Sequence, residues 1–139
     1  MTPEDARCRF SSARVARLAT VDASGVPHLV PIVFALDRDT IYSAVDHKPK
    51  RTAALRRIAN VAVNQRVALL ADEYTEEWDR LWWARADGTA TVHEGSSPAG
   101  ARGIALLVER YVQYAAQPPQ GPVIAVAITQ WSGWAADER

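Results

Sequence analysis

Cysteine is nearly missing from this chain: Cys8 stands alone among 139 residues. A lone thiol excludes an internal disulfide framework and a cysteine-rich zinc site. With no evident base beside it, Cys8 reads as a small packing residue. No apolar run reaches the roughly 18 residues that a membrane-spanning helix requires. The opening segment, MTPEDARCRF, is polar and lacks the apolar core of a secretory signal. A cytoplasmic protein with no membrane partner is the expectation. Net charge is missing too, because sixteen basic residues cancel sixteen acidic ones. There is no global field to draw nucleic acid, and no nucleic-acid partner is expected. The histidines, His28, His47 and His93, show neither HExxH nor HxH spacing, so no metal centre is expected. There is no GxSxG elbow, no GxGxxG and no GxxxxGK[ST]. No side chain is assigned as catalytic.

What is there reads as one domain over residues 1–139, long enough for one core. Thr2, Pro3, Glu4 and Asp5 make a helix start, with a cap, a proline at the first position and acids at the positive helix end. A short helix to about Ser12 follows. ARVARLATVD is rich in β-branched residues and reads as a strand. Asp22-Ala23-Ser24-Gly25 is a turn, VPHLVPIVFAL a second strand, Asp37-Arg38-Asp39 a turn and TIYSAV a third strand. A helix then carries Leu55, Ile58, Ala59 and Ala62 on one face, with Arg56, Arg57 and Asn60 elsewhere. RVALLADEY is a strand. LWWARADGTATVHE is one long strand, or two with a bend near Asp87-Gly88. Residues 98–112 are helical, with Ile104, Leu107, Val108 and Tyr111 on one stripe. VIAVAITQWSGWA closes the chain as a strand. The sum is a mostly β fold: six or so strands in a small, mostly antiparallel barrel with a few short helices.

Three features point toward function. Pro27 and Pro31 both fall in the second strand, where proline cannot serve a central ladder, so this strand is an edge or is bulged. Such a strand either guards the sheet against aggregation or offers backbone groups to a planar ligand. The second feature is DHKPKRTAALRRI at 46–58, which holds both lysines, Lys48 and Lys50, in an electrically neutral protein. Lys50 and Arg51 stand where the helix dipole is already positive, at a cost of roughly 0.3–1 kcal/mol each. An anion such as phosphate at the helix start would offset it; a solvated basic loop is the alternative. The third is tryptophan. Trp82 and Trp83 are adjacent in a strand, so one faces the core and the other faces solvent, a ligand or a partner. Trp131 and Trp134 raise the same choice between an aromatic dimer interface and ring stacking. The acids of DEYTEEWD read as a solvated cluster rather than as a carboxylate pair for acid–base work.

The segments ARVARLATVDASGVPHLVPIVFAL, AVDHKPKRTAALRRI and NQRVALLADEY, in this order, resemble the pyridoxamine-phosphate-oxidase-like split barrels. The likeness is greatest to the deazaflavin branch, the F420-dependent oxidoreductases. It implies a homodimer with cofactor sites at the interface, coenzyme F420 as cofactor with FMN as the alternative, and a small-molecule substrate. By this resemblance Lys48, Lys50, Arg51 and Thr52 hold the cofactor phosphate. The ring lies along Leu29, Val30, Pro31 and Ile32, and Trp82 and Trp131 are candidates to close the site from the partner subunit. The implied activity is hydride transfer from F420 to a small unsaturated organic substrate, with the proton coming from solvent or from Tyr42, His28 or Tyr74. An FMN-dependent oxidoreductase or flavin-binding protein, and a non-enzymatic F420-binding module, are the alternatives on the same scaffold.

Overall fold

The first element forms where the sequence supplies its own ends. The computed structural model describes residues 1–45 and 52–137, the side chains of 52–55 excepted. Helix α1 spans Pro3–Ser12 and opens on a capping box. Asp5 N–H donates to Thr2 Oγ1 at 3.1 Å, and Thr2 N–H donates back to the Asp5 carboxylate at 3.2 Å. The nearby Thr2 hydroxyl first, and the Thr2 backbone N–H after it, hold the Asp5 carboxyl below its ordinary pKa. The helix is largely polar, but Ala6 and Phe10 are fully buried. Phe10 meets Phe34 edge-on at 5.0 Å and Trp131 at 5.5 Å, so α1 plugs the main core.

Seven strands form one antiparallel sheet in the order β2-β1-β5-β6-β7-β4-β3. They are β1 (Ala16–Val21), β2 (Pro27–Ile32), β3 (Ala35–Asp37), β4 (Thr40–Ala44), β5 (Arg66–Glu73), β6 (Trp82–His93) and β7 (Val123–Ala135). The six-strand expectation needs correcting, because VPHLVPIVFAL is two strands. β2 and β3 lie at opposite edges of the sheet, and the chain crosses between them through Val33 and Phe34. This is the split of the barrel.

The break is held by a residue 77 positions away. The Tyr111 hydroxyl accepts from Phe34 N–H at 3.1 Å and lies 2.9 Å from Phe34 O and 3.0 Å from Arg14 O. Having one proton, it donates to one of those carbonyls at a time. A run of apolar residues thus leaves its ladder without stranding the Phe34 backbone.

Helix α3 spans Pro98–Arg110 and the short α4 spans Val112–Ala116. Leu107 and Tyr111 of the expected stripe are buried, with Ile104 packed beside them in a second cluster. Strand β6 runs unbroken past Asp87-Gly88, where the register slips: Asp87 faces Gln130 and Gly88 faces Ile128. A Cβ at Gly88 would stand 2.3 Å from Ala127 O, so only glycine lets the two strands approach there. Helix α2 spans Thr52–Val63. Its buried face is rotated from the expected stripe. Ala59 and Ala62 are exposed, while Asn60 and Val61 are buried. The cause is polar: Asn60 Nδ2 donates to the buried Thr20 hydroxyl of β1 at 3.0 Å. Among the described residues no helix is long and apolar enough to cross a membrane.

Candidate functional site

β2 is an edge strand, hydrogen-bonded on one side to β1. Pro27, Leu29 and Pro31 point outward and are exposed, Leu29 at 66%. His28 and Val30 are half-buried and Ile32 is buried. The four ring-contact candidates therefore divide by parity. Leu29 and Pro31 offer an open face, whereas Val30 and Ile32 belong to the core side.

α2 approaches this strand through β1. Thr20, which receives Asn60, stands opposite His28 in the β1–β2 register. Arg57 lies one helical turn before Asn60 and on the same side of α2. Among the described residues, the buried side-chain polar atoms without hydrogen-bond partners are His28 Nδ1, Arg57 Nε and Ser132 Oγ. Two of these three lie on β2 and α2. Burial lowers the Arg57 pKa, and nearby Tyr114 partly offsets this. A partly buried guanidinium with an orphaned N–H is costly unless something else pairs with it. These atoms suit an anionic, hydrogen-bonding ligand, so the residues present fit a phosphate-bearing flavin or deazaflavin. Lys48, Lys50 and Arg51 lie outside the described residues, as does the Thr52 side chain; Thr52 is the first residue of α2.

The tryptophans settle into two sets. Trp82 is 8% exposed, with its indole N–H directed at Glu73 at 3.4 Å and Arg9 of α1 over its ring. Trp131 packs on Phe10 and donates to Asp39 at 3.0 Å. Both rings are engaged within their own chain, which leaves little of them to offer a partner's site. The outward rings are Trp83, Trp134 and Trp78, the last two 41% and 76% exposed. Trp83 and Trp134 are register partners. With Leu70, Asp72, Tyr74 and Arg85, Trp83 lines an open groove of about 310 Å³. The pattern held a signal for this: Ala84, Ala86 and Ala90 share Trp82's parity and are small enough only for the core side.

The acidic loop is a solvated cluster, as expected. Arg80 bridges Glu77 at 3.1 Å and Glu73 at 3.2 Å on an exposed surface, and the Glu77 bond raises its pKa. Among the described residues no group of three or more His, Cys, Asp or Glu side chains could hold a metal ion.

The arginines near the barrel split escaped the sequence reading. Arg110 donates to the carbonyls of Ser11 and Ala13 at the end of α1, and Arg14 donates to Arg110 O at the end of α3 at 3.0 Å. Each cation caps the other's helix at its negative end. Both stack on Tyr111, at 4.7 and 5.5 Å. Beside them Arg14, Val15, Val33, Tyr111, Gln113 and Tyr114 line a recess of about 440 Å³.

A family model for pyridoxamine 5'-phosphate oxidase matches residues 2–135. Over 57 residues the chain is 39% identical to the 5a,11a-dehydrotetracycline/5a,11a-dehydrooxytetracycline reductase of Streptomyces rimosus. That match covers 41% of this chain and 39% of the reductase, so it spans well under half of that relative. Two solved structures share the fold: the heme storage protein HutZ from Vibrio cholerae and an FAD-binding protein from Mesorhizobium loti. HutZ has a TM-score of 0.70 at 20% identity, covering 97% of this chain and 95% of its own. The FAD-binding protein has a TM-score of 0.70 at 19% identity, covering 96% and 94%. At such identities these likenesses speak to the barrel alone, but the family model runs through every strand from β1 to β7: the chain belongs to the pyridoxamine 5'-phosphate oxidase family.

Proposed function

We propose that the chain is an oxidoreductase that uses coenzyme F420 to reduce a small, conjugated organic substrate. The observation that carries the reading is the open edge of β2 together with the unpartnered buried polar atoms on β2 and α2. A basic segment follows β4 in sequence, and buried polar atoms without partners stand on β2 at His28 and on α2 at Arg57. Lys48, Lys50, Arg51 and Thr52 would hold the cofactor phosphate at the α2 start. Leu29 and Pro31 would flank the ring with the exposed face of β2. The chemistry a bound, reduced deazaflavin supplies is donation of one hydride to the electron-poor carbon of a conjugated carbonyl; a proton from solvent completes the saturated product as the cofactor is oxidised. The chain's own part is to bind, orient and keep water from the ring face. The local match to a dehydrotetracycline reductase supports a reductive activity on a conjugated substrate.

The chain would work as a homodimer, the cofactor sites lying at its interface. The exposed ring of Trp134 and its register partner Trp83 support an apolar contact on the outward face of β6 and β7. Light scattering of the purified protein reads the mass directly.

FMN is the second reading, favoured by the FAD-binding structural neighbour. Titration with F420 and with FMN, followed by fluorescence, separates the two. Tight F420 binding is expected, followed by oxidation of reduced F420 in the presence of enones, quinones or nitroaromatics. Tight FMN binding without F420 binding would reverse the assignment. F420 binding with no turnover across that panel would leave a binding module.

A further inference from the structure

The recess at the barrel split has no role in the reading so far. Val33 follows Ile32 directly, so the recess opens where the proposed ring strand ends. Its size falls within the range of small-molecule sites. Two walls are aliphatic, Val15 and Val33, and two are aromatic, Tyr111 and Tyr114; the polar groups are Arg14 and the Gln113 carboxamide. Among the described residues no acidic side chain lines it.

The charge there is one-sided. Arg7, Arg9, Arg80, Arg85 and Arg102 each have a carboxylate within 4 Å. Among the described residues Arg14 has none; its recorded partners are a backbone carbonyl and the Tyr111 ring. Arg110 stacks on the same ring, so two guanidinium groups crowd one tyrosine. Arg57 adds a third cation near Tyr114. Helix capping accounts for one edge of the Arg14 fork. Arg14 is exposed, and the rest of its five donors are open to water and to whatever enters the recess.

We propose that this recess binds the hydride acceptor, and that the acceptor is a planar conjugated acid whose carboxylate or enolate oxygen pairs with Arg14. The aromatic and aliphatic walls take the ring system, and Gln113 orients a second oxygen. The assignment rests on the oxidoreductase reading for the word acceptor, but the recess and its anion preference can be tested without any cofactor.

The probes are naphthoate and its methyl ester, titrated calorimetrically into the full chain at neutral pH. The acid is expected to bind at least about ten-fold more tightly than the ester, the scale of one charge-assisted hydrogen bond. Arg14→Gln should bring the two to within about two-fold while ester binding holds, and Arg14→Lys should keep part of the preference. Val15→Trp should fill the recess and abolish both, with the melting temperature retained, because Val15 is 40% exposed and outside the core. If Arg14→Gln fails to fold, the lysine and tryptophan variants decide. Equal binding of acid and ester by the unaltered protein, or acid binding indifferent to Val15→Trp, overturns the proposal. Flavin titrations on the same samples separate the two claims. Acid selectivity without F420 or FMN binding ends the oxidoreductase reading and leaves the anion recess standing. Flavin binding without acid selectivity does the reverse. Naphthoate displacing a bound flavin would show that the recess holds the cofactor, and would end the acceptor assignment.

Discussion

Two polar regions of this molecule are built from similar side chains and are satisfied very differently. At the barrel split, the Tyr111 hydroxyl lies within hydrogen-bonding distance of three backbone groups, and Arg14 and Arg110 donate to helix-end carbonyls while stacking on rings. Where α2 packs on β1, the Asn60–Thr20 pair is closed, yet Arg57 Nε on α2 and His28 Nδ1 on the neighbouring β2 have no partner among the described residues. A buried donor with its partner is part of the fold; a buried donor without one is a cost that the fold itself does not repay. The split therefore reads as architecture with a recess attached, and the unpartnered atoms on α2 and β2 are where we propose that a ligand binds.

The largest effect should come from the site. Lys50→Ala combined with Arg51→Ala should weaken F420 binding at least about a hundred-fold, since charge-assisted phosphate contacts are worth roughly 1.5–3 kcal/mol each. Stability should hold or rise slightly, because positive charge is removed from a positive helix end. Unchanged F420 affinity by fluorescence titration ends the phosphate-anchor assignment.

Tyr111→Phe tests the other region. It strips the hydroxyl from the corner and leaves buried backbone groups of Phe34 unpaired, for about 2–3 kcal/mol in urea unfolding. A loss below about 0.5 kcal/mol would mean that the corner is held by packing alone.

Asn60→Ala should cost about 1–2 kcal/mol, and the loss should shrink in a Thr20→Val background, where the partner is already gone. Additive losses in that cycle would show that the bond contributes nothing.

The smallest stability effect sharpens the contrast most. Arg57→Leu should leave stability unchanged or raise it by up to about 1 kcal/mol, because a desolvated cation gives way to an apolar side chain. The same change should weaken F420 binding. A clear loss of stability would place Arg57 with the architecture, and the difference between the two regions would collapse.

Local chemistry was legible. The Thr2 capping box, the α3 stripe and the edge placement of β2 each depend on residues close in sequence, and on proline's missing donor. What distant partners decide was not. Nothing in VPHLVPIVFAL marks the change from β2 to β3, because the group that satisfies Phe34 comes from Tyr111. The buried face of α2 was misread because Asn60 is tolerable inside only when Thr20, forty positions earlier, receives it. What Trp82 and Trp131 touch within the chain was not legible either, because Arg9 and Phe10 reach them from α1 only once the chain has folded.

By itself, then, the sequence determined the element types, the family and the basic segment that marks the phosphate candidate. Those rest on short-range propensity, proline's geometry and charge order along the chain. Tertiary structure alone decided which polar atoms are left over and where the recess lies. Hydrogen-bond satisfaction is a property of the whole packed chain, and an arginine's partner is known only once every element has taken its place.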